Sequence, residues 1–325
     1  MTPAMPPVAK PVAKPVVNSV NPVANPVVNP ATSPRTRRAA VITFGAALAG
    51  AFAGPALAAP APRIEADAEA AARRFAGPPL GRAHAHNDYE HPHPLADALS
   101  HGFGSVEADI WLVGGKLLVA HDASGLDPTR TLESLYLEPL LRRVRAGHGR
   151  VYEGYDLSLQ LLVDIKTAGA PTYRELARHL RRYRSMLSSC VGERVRRGAV
   201  TAVVSGDRGA RVPMATERVR RAFYDARLAD LGTGVPASFA PLVSDNWNTK
   251  FSWQGVGPMP GPERAELTRV VSLAHAEHRR VRFWATPDRP GPAREAVWRE
   301  LLAAGADHLN TDDLAGLEAF LRAAG

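Results

Sequence analysis

Leu159–Lys166, LQLLVDIK, is a continuous apolar run that ends on a carboxylate and an ammonium. A run this short, without alternation, fits a strand covered on both faces, the state of strands in parallel sheets. Asp164 is then costly to bury unless a cation answers its charge. Lys166 lies two residues on and shares its face. Both deductions point outward along the chain, to further buried strands joined by helices and to partner groups at the same strand ends.

Strand signals begin near Arg82, Ser105, Leu159, Ala199, Ala222, Pro241, Val281 and Ala306. Helical patterns separate most of them: HPLADALSHG, TLESLYLEPLLRRV, a segment opened by Pro171, and stretches at about 212–221, 263–277, 292–303 and 312–322. The link between the fifth and sixth strands lacks a full helix, and Gly114-Gly115 turns the second strand back into an extra one, KLLVAHD. Eight strands with helices between most of them, over residues 80–325, predict a single-domain (β/α)8 barrel. An open doubly wound sheet is the alternative, but no glycine-rich phosphate loop follows the first strand.

In a barrel, ionisable groups at strand C-terminal ends mark the site that forms there. Glu107 and Asp109 in SVEADIW are two apart and point to one face, while Val106, Ala108 and Ile110 point to the other. Taken alone, that alternation also describes a strand with one solvent face. Joined by Asp164 it becomes three carboxylates from neighbouring strands, the ligand set of one hard divalent cation, Mg²⁺ or Ca²⁺. A three-residue hairpin loop, Val113 to Gly115, sets His121 opposite Glu107; a two-residue loop sets it opposite Ala108 instead. The first register is the expectation here, because an imidazole beside a carboxylate cluster suits acid–base chemistry.

HNDY at His86–Tyr89, EAD at Glu107–Asp109, HD at His121-Asp122 and VDIK at Val163–Lys166 together resemble the superfamily of phosphatidylinositol-specific phospholipases C and glycerophosphodiester phosphodiesterases. The C-terminal half, with SDNW, FSWQGVG, RFWATPD and NTDDL, is similar to its altered-inheritance-of-mitochondria protein-six branch. The resemblance implies a metal-dependent phosphoric diester hydrolase. His86 and His121 would be the acid–base pair, Glu107, Asp109 and Asp164 the metal ligands, and Asn87 a further ligand. Lys166, Trp247 and Trp284 would face the substrate, a small-molecule or lipid phosphodiester. The usual histidine-arginine-glycine opening is absent, as is a phosphoinositide-targeting domain, so the substrate does not carry over.

Two rivals use the same letters. His84-x-His86 resembles the zinc-binding pattern of amidohydrolases, although the fifth and sixth strands lack that family's histidines. An exported barrel that only binds a ligand, stacking it on Trp247, Trp253 and Trp284, is the third reading.

Composition narrows the partners. The chain has 325 residues, 45% hydrophobic and 22% charged, with a formal charge of +8. Lys10, Lys14, Arg35, Arg37 and Arg38 precede residue 59 with no acidic residue among them, so the remaining excess is small and gives no nucleic-acid footprint. Contact with a membrane surface stays open, as does the oligomeric state. Residues 1–58 read as a Pro/Val-rich prefix and a signal peptide: PRTRR, an apolar stretch short of a membrane span, and Ala56-Leu57-Ala58 as the cleavage site. Residues 59–79 read as a linker. The expected location is therefore secreted or extracytoplasmic. The single cysteine, Cys190, excludes an internal disulfide and is expected buried at a helix end.

Overall fold

The computed structural model describes residues 77–325. The prefix, the signal segment and most of the linker lie outside the described residues. Twelve strands are present among those described: β1 (Leu80–Ala85), β2 (Phe103–Val113), β3 (Lys116–Val119), β4 (Leu159–Ile165), β5 (Ser189–Val191), β6 (Arg194–Arg196), β7 (Val200–Gly206), β8 (Val219–Arg220), β9 (Ala222–Ala226), β10 (Leu242–Asn246), β11 (Arg280–Trp284) and β12 (Leu309–Thr311).

β1, β2, β4, β7, β9, β10, β11 and β12 form a parallel sheet in chain order. β12 returns to β1 through Ala83↔Leu309, His84↔Asn310 and Ala85↔Thr311. A parallel bridge, Arg282↔His308, joins β11 to β12 and completes the (β/α)8 barrel. As the sequence implied, the β9–β10 connection carries only a 3-10 turn at Leu228–Asp230.

Side-chain alternation divides the barrel into an outer core and an interior of two chemistries. Val106, Ala108 and Ile110 are fully buried outward, beneath the helices, while Glu107 and Asp109 point inward and are buried too. β2 therefore has no solvent face. Inside, Leu162, Val203, Phe223 and Leu242 form an apolar cluster closed off by Cys190. The other half of the interior is polar, with His84, Ser105, Glu107, Gln160, Arg282, His308 and Asn310 all buried.

Three local expectations are corrected. Gly114 and Gly115 both take positive φ, 56° and 79°, and Val113 pairs with Lys116, so the hairpin loop has two residues. Two successive left-handed positions are what a type I′ turn requires, and two glycines supply them without strain. Continuing that pairing sets His121 opposite Ala108, not Glu107. At 212–221 the helix stops after Arg211–Ala215, because Val219-Arg220 pair with β5 in a small antiparallel sheet ordered β6-β5-β8. Cys190 is buried as expected, but lies in β5 of that sheet and not at a helix end.

Candidate active site

A cavity of about 350 Å³ opens at the C-terminal ends of the barrel strands, lined by His86, Asn87, Glu107, Asp109, His121, Asp164, Lys166, Ser205, Gly206, Arg227, Arg282 and Trp284. One carboxylate oxygen from each of Glu107, Asp109 and Asp164 lies within 4.8 Å of the others. The register explains the convergence: Asp109 and Asp164 are direct partners across β2 and β4, and Glu107 is one inward position deeper.

Glu107 is held from both sides. His84 approaches its Oε2 at 3.1 Å and Arg282 at 2.7 Å, and Arg282 also donates to Asn310. Burial opposes ionisation of Glu107, but the Arg282 charge and the His84 hydrogen bond outweigh it and hold the carboxyl well below its usual range. His84 is sealed from solvent, and burial pushes its imidazole down to about 3, leaving it neutral. A consistent donor chain follows: Gln160 to Ser105 at 2.9 Å, Ser105 to His84 Nδ1 at 2.7 Å, and His84 Nε2–H to Glu107. Both ring nitrogens of His84 are thereby committed.

Asp109 and Asp164 share one cation. Lys166 Nζ sits 2.9 Å from Asp109 and 3.0 Å from Asp164. Burial, then the Glu107 charge, push Asp109 up to about 6 against the pull of Lys166, and burial raises Asp164 as well. The Tyr89 hydroxyl donates to Asp109 Oδ2 at 2.5 Å and lies 2.9 Å from Asn87 Oδ1. The second oxygens, Asp109 Oδ1 and Asp164 Oδ1, are buried with no hydrogen-bond partner among the described residues. Gly206, at φ 77°, leaves open the space beside Asp164 Oδ1 that a Cβ would fill. Converging carboxylates, one lysine among three acids, and two orphaned buried oxygens fit a hard divalent cation.

His86 and His121 complete the wall. His86 Nδ1 is 2.7 Å from Asp312 Oδ1, and the Asn87 amide lies 3.3 Å from the same oxygen. Burial alone would lower the His86 pKa, but the Asp312 hydrogen bond raises it above the ordinary histidine value. Nδ1–H is thus taken by the carboxylate, while Nε2 makes no hydrogen bond among the described residues. His121 lines the cavity although it does not face Glu107 across the hairpin, because β3 ends at Val119 and the chain bends at His121. Asn87 adopts a left-handed backbone, φ 47° and ψ 34°, which turns the chain from β1 into the cavity rim. Asp88, fully buried, anchors that turn by accepting from Leu95 N and the Tyr136 hydroxyl.

Trp284 lines the cavity, but Trp247 does not. Trp247 is fully buried against Phe251 and Phe283, with its indole N–H donated to Trp253 O, so it belongs to the core and presents no stacking face. Four site residues escaped the sequence reading: Arg282, Asp312, Arg227 and Asp225. Asp225 is fully buried and accepts from Ser205, Ser244 and Arg227 at 2.7, 2.5 and 2.9 Å. A charge inside a strand covered on both faces was the available signal for Arg282 and Asp225.

Two family models of phosphodiesterase domains match this barrel. Residues 79–225 match the AIM6-like phosphodiesterase domain, a span holding both cavity histidines and all three carboxylates, and residues 280–315 match the glycerophosphoryl diester phosphodiesterase family. The chain is 31% identical over 274 residues to altered inheritance of mitochondria protein 6 of Eremothecium gossypii, covering 75% of this chain and 70% of that protein. It is 28% identical over 256 residues to a homolog from Arthroderma benhamiae, covering 71% and 81%. The chain belongs to the altered inheritance of mitochondria protein 6 family. Among solved structures it is similar to a glycerophosphoryl diester phosphodiesterase from Parabacteroides distasonis, with a TM-score of 0.47, 13% identity, and coverage of 80% of this chain and 92% of that one.

Proposed function

We propose that this protein is a metal-dependent phosphoric diester hydrolase acting on a glycerophosphodiester or phospholipid-type substrate by two-histidine acid–base catalysis. The observation that carries the reading is the convergence of Glu107, Asp109 and Asp164, with two buried oxygens unpartnered, between His86 and His121 in one cavity. Glu107, Asp109 and Asp164, with Asn87 at the rim, would hold a divalent cation, Mg²⁺ or Ca²⁺, which would neutralise charge at the non-bridging phosphate oxygens. Lys166 adds fixed positive charge beside them. His86, oriented by Asp312, offers Nε2 to take a proton from the attacking hydroxyl or water, and His121 protonates the leaving alcohol, or the two exchange roles. Trp284 and Arg227, which also line the cavity, position the alcohol groups.

The buried commitments of His84 to Ser105 and Glu107 oppose the zinc amidohydrolase reading, since neither ring nitrogen has a lone pair free for a metal in the cavity. Export belongs to the same proposal and rests on Arg35–Ala58; the N-terminal residue of the mature chain, Ala59 on this reading, decides it.

The test is turnover of a soluble aryl phosphodiester. Excess chelator should abolish it, and Ca²⁺ or Mg²⁺ should restore it; full turnover in chelator, with no bound metal by elemental analysis, would contradict the reading.

A further inference from the structure

The small β6-β5-β8 sheet plugs the end of the barrel opposite the cavity. It precedes the starts of β7 and β9 in the chain, and Cys190 on its inner face packs against Leu162, Val203, Phe223 and Leu242. Cross-strand register fixes which side chains share its outer face. Val191 pairs with both Arg194 and Val219, and Ser189 pairs with Arg196, so Val191, Val219, Arg194 and Arg196 all point away from the barrel. Val191 is 50% exposed and Val219 39% exposed.

The face is strongly basic. Arg196 donates to Leu187 O and Arg184 O, which ties the sheet to the segment carrying Arg181, Arg182 and Arg184, all exposed. Arg218, exposed, leads into β8. Arg181, Arg182, Arg194 and Arg218 make no ion pair among the described residues. The acidic neighbours are Glu193 in the β5–β6 turn, Asp156 paired with Arg197, Glu217, which accepts the Tyr173 hydroxyl, Glu138, which accepts the Tyr183 hydroxyl, and Glu175, paired with Arg178 and close to Arg182. The fold thus brings several exposed arginines together on one face.

We propose that this face docks on an anionic lipid bilayer. Guanidinium forks match phosphate oxygens, and valines between them can enter the headgroup boundary, which a purely electrostatic surface would not need. The three strands of this sheet carry no aromatic residue, the feature a single-stranded nucleic-acid surface would use for stacking. Docking there leaves the catalytic mouth turned to solution.

Sedimentation of the full chain with vesicles tests the proposal. Binding should require anionic phospholipid, be absent on phosphatidylcholine alone, and weaken as salt rises from about 0.05 to about 0.5 M. Reversing Arg182, Arg194 and Arg218 to Glu should weaken it by about tenfold or more, at unchanged melting temperature. A second variant, Val191→Ser with Val219→Ser, should weaken binding while keeping its salt dependence. Equal binding to both vesicle types, undiminished binding by the Glu variant, or binding to a nucleic-acid duplex with none to vesicles would overturn the proposal.

Discussion

Asp312 shows what a single side chain contributes to this site. It lies far from His86 in sequence and 2.7 Å from its Nδ1 in space, and holding that proton is what leaves Nε2 for chemistry. Asp312→Asn should lower kcat by up to about 10²-fold while changing KM little, because the imidazole loses its orientation and not the substrate contacts. An unchanged kcat would remove Asp312 from the account. Glu107, Asp109 and Asp164 were legible because two-residue spacing and a carboxylate after an apolar run are local signals. Asp312 and Arg282 were not, since their partners come from the other end of the chain. Trp247 was misread because an aromatic beside a strand end looks the same whether it packs on Phe283 or on a ligand.

At the level of elements, the parallel strands and most helices followed from apolar runs and periodicity. The failures came where tertiary pairing overrides a local pattern. The segment at 212–221 was read as helix, yet Val219 and Arg220 gain a strand partner in β5 and the helix ends early. The hairpin register follows from the Gly-Gly turn, whose two left-handed positions fix a two-residue loop whatever suits His121. Gly206 ties an element directly to the site, since β7 ends there at φ 77° against Asp164. Gly206→Ala should cost at least about 1–2 kcal/mol for the left-handed backbone, with overlap on the Ile165 backbone added to it. It should also weaken cation binding on the order of tenfold by displacing Asp164 Oδ1. Thermal melting and a cation titration on one sample check both effects; a variant with unchanged cation affinity would show that this oxygen is not a ligand.

For the whole molecule, a polar barrel interior makes stability depend on pH. His308 is buried inside, accepts from Arg280 at 3.1 Å, and burial first, then nearby arginines, push its pKa well below the 6.5 of the unfolded chain. Above 6.5 both states are neutral and the stability is fully present; as pH falls below 6.5 the unfolded chain binds a proton the folded chain refuses. The loss approaches ~1.4 kcal/mol per pH unit from this residue. His308→Gln, whose amide oxygen can still accept from Arg280, should flatten that slope in denaturant titrations between about pH 6.5 and 4.5; an unchanged slope would place the acid sensitivity elsewhere. The central claim is that carboxylates hold a cation while histidines move protons, and one sample of His86→Ala tests it most directly when metal stoichiometry and turnover are measured together. The account predicts a protein that keeps its cation near wild-type level and loses about 10²- to 10⁴-fold in rate. Loss of metal together with activity would make His86 a ligand and contradict it.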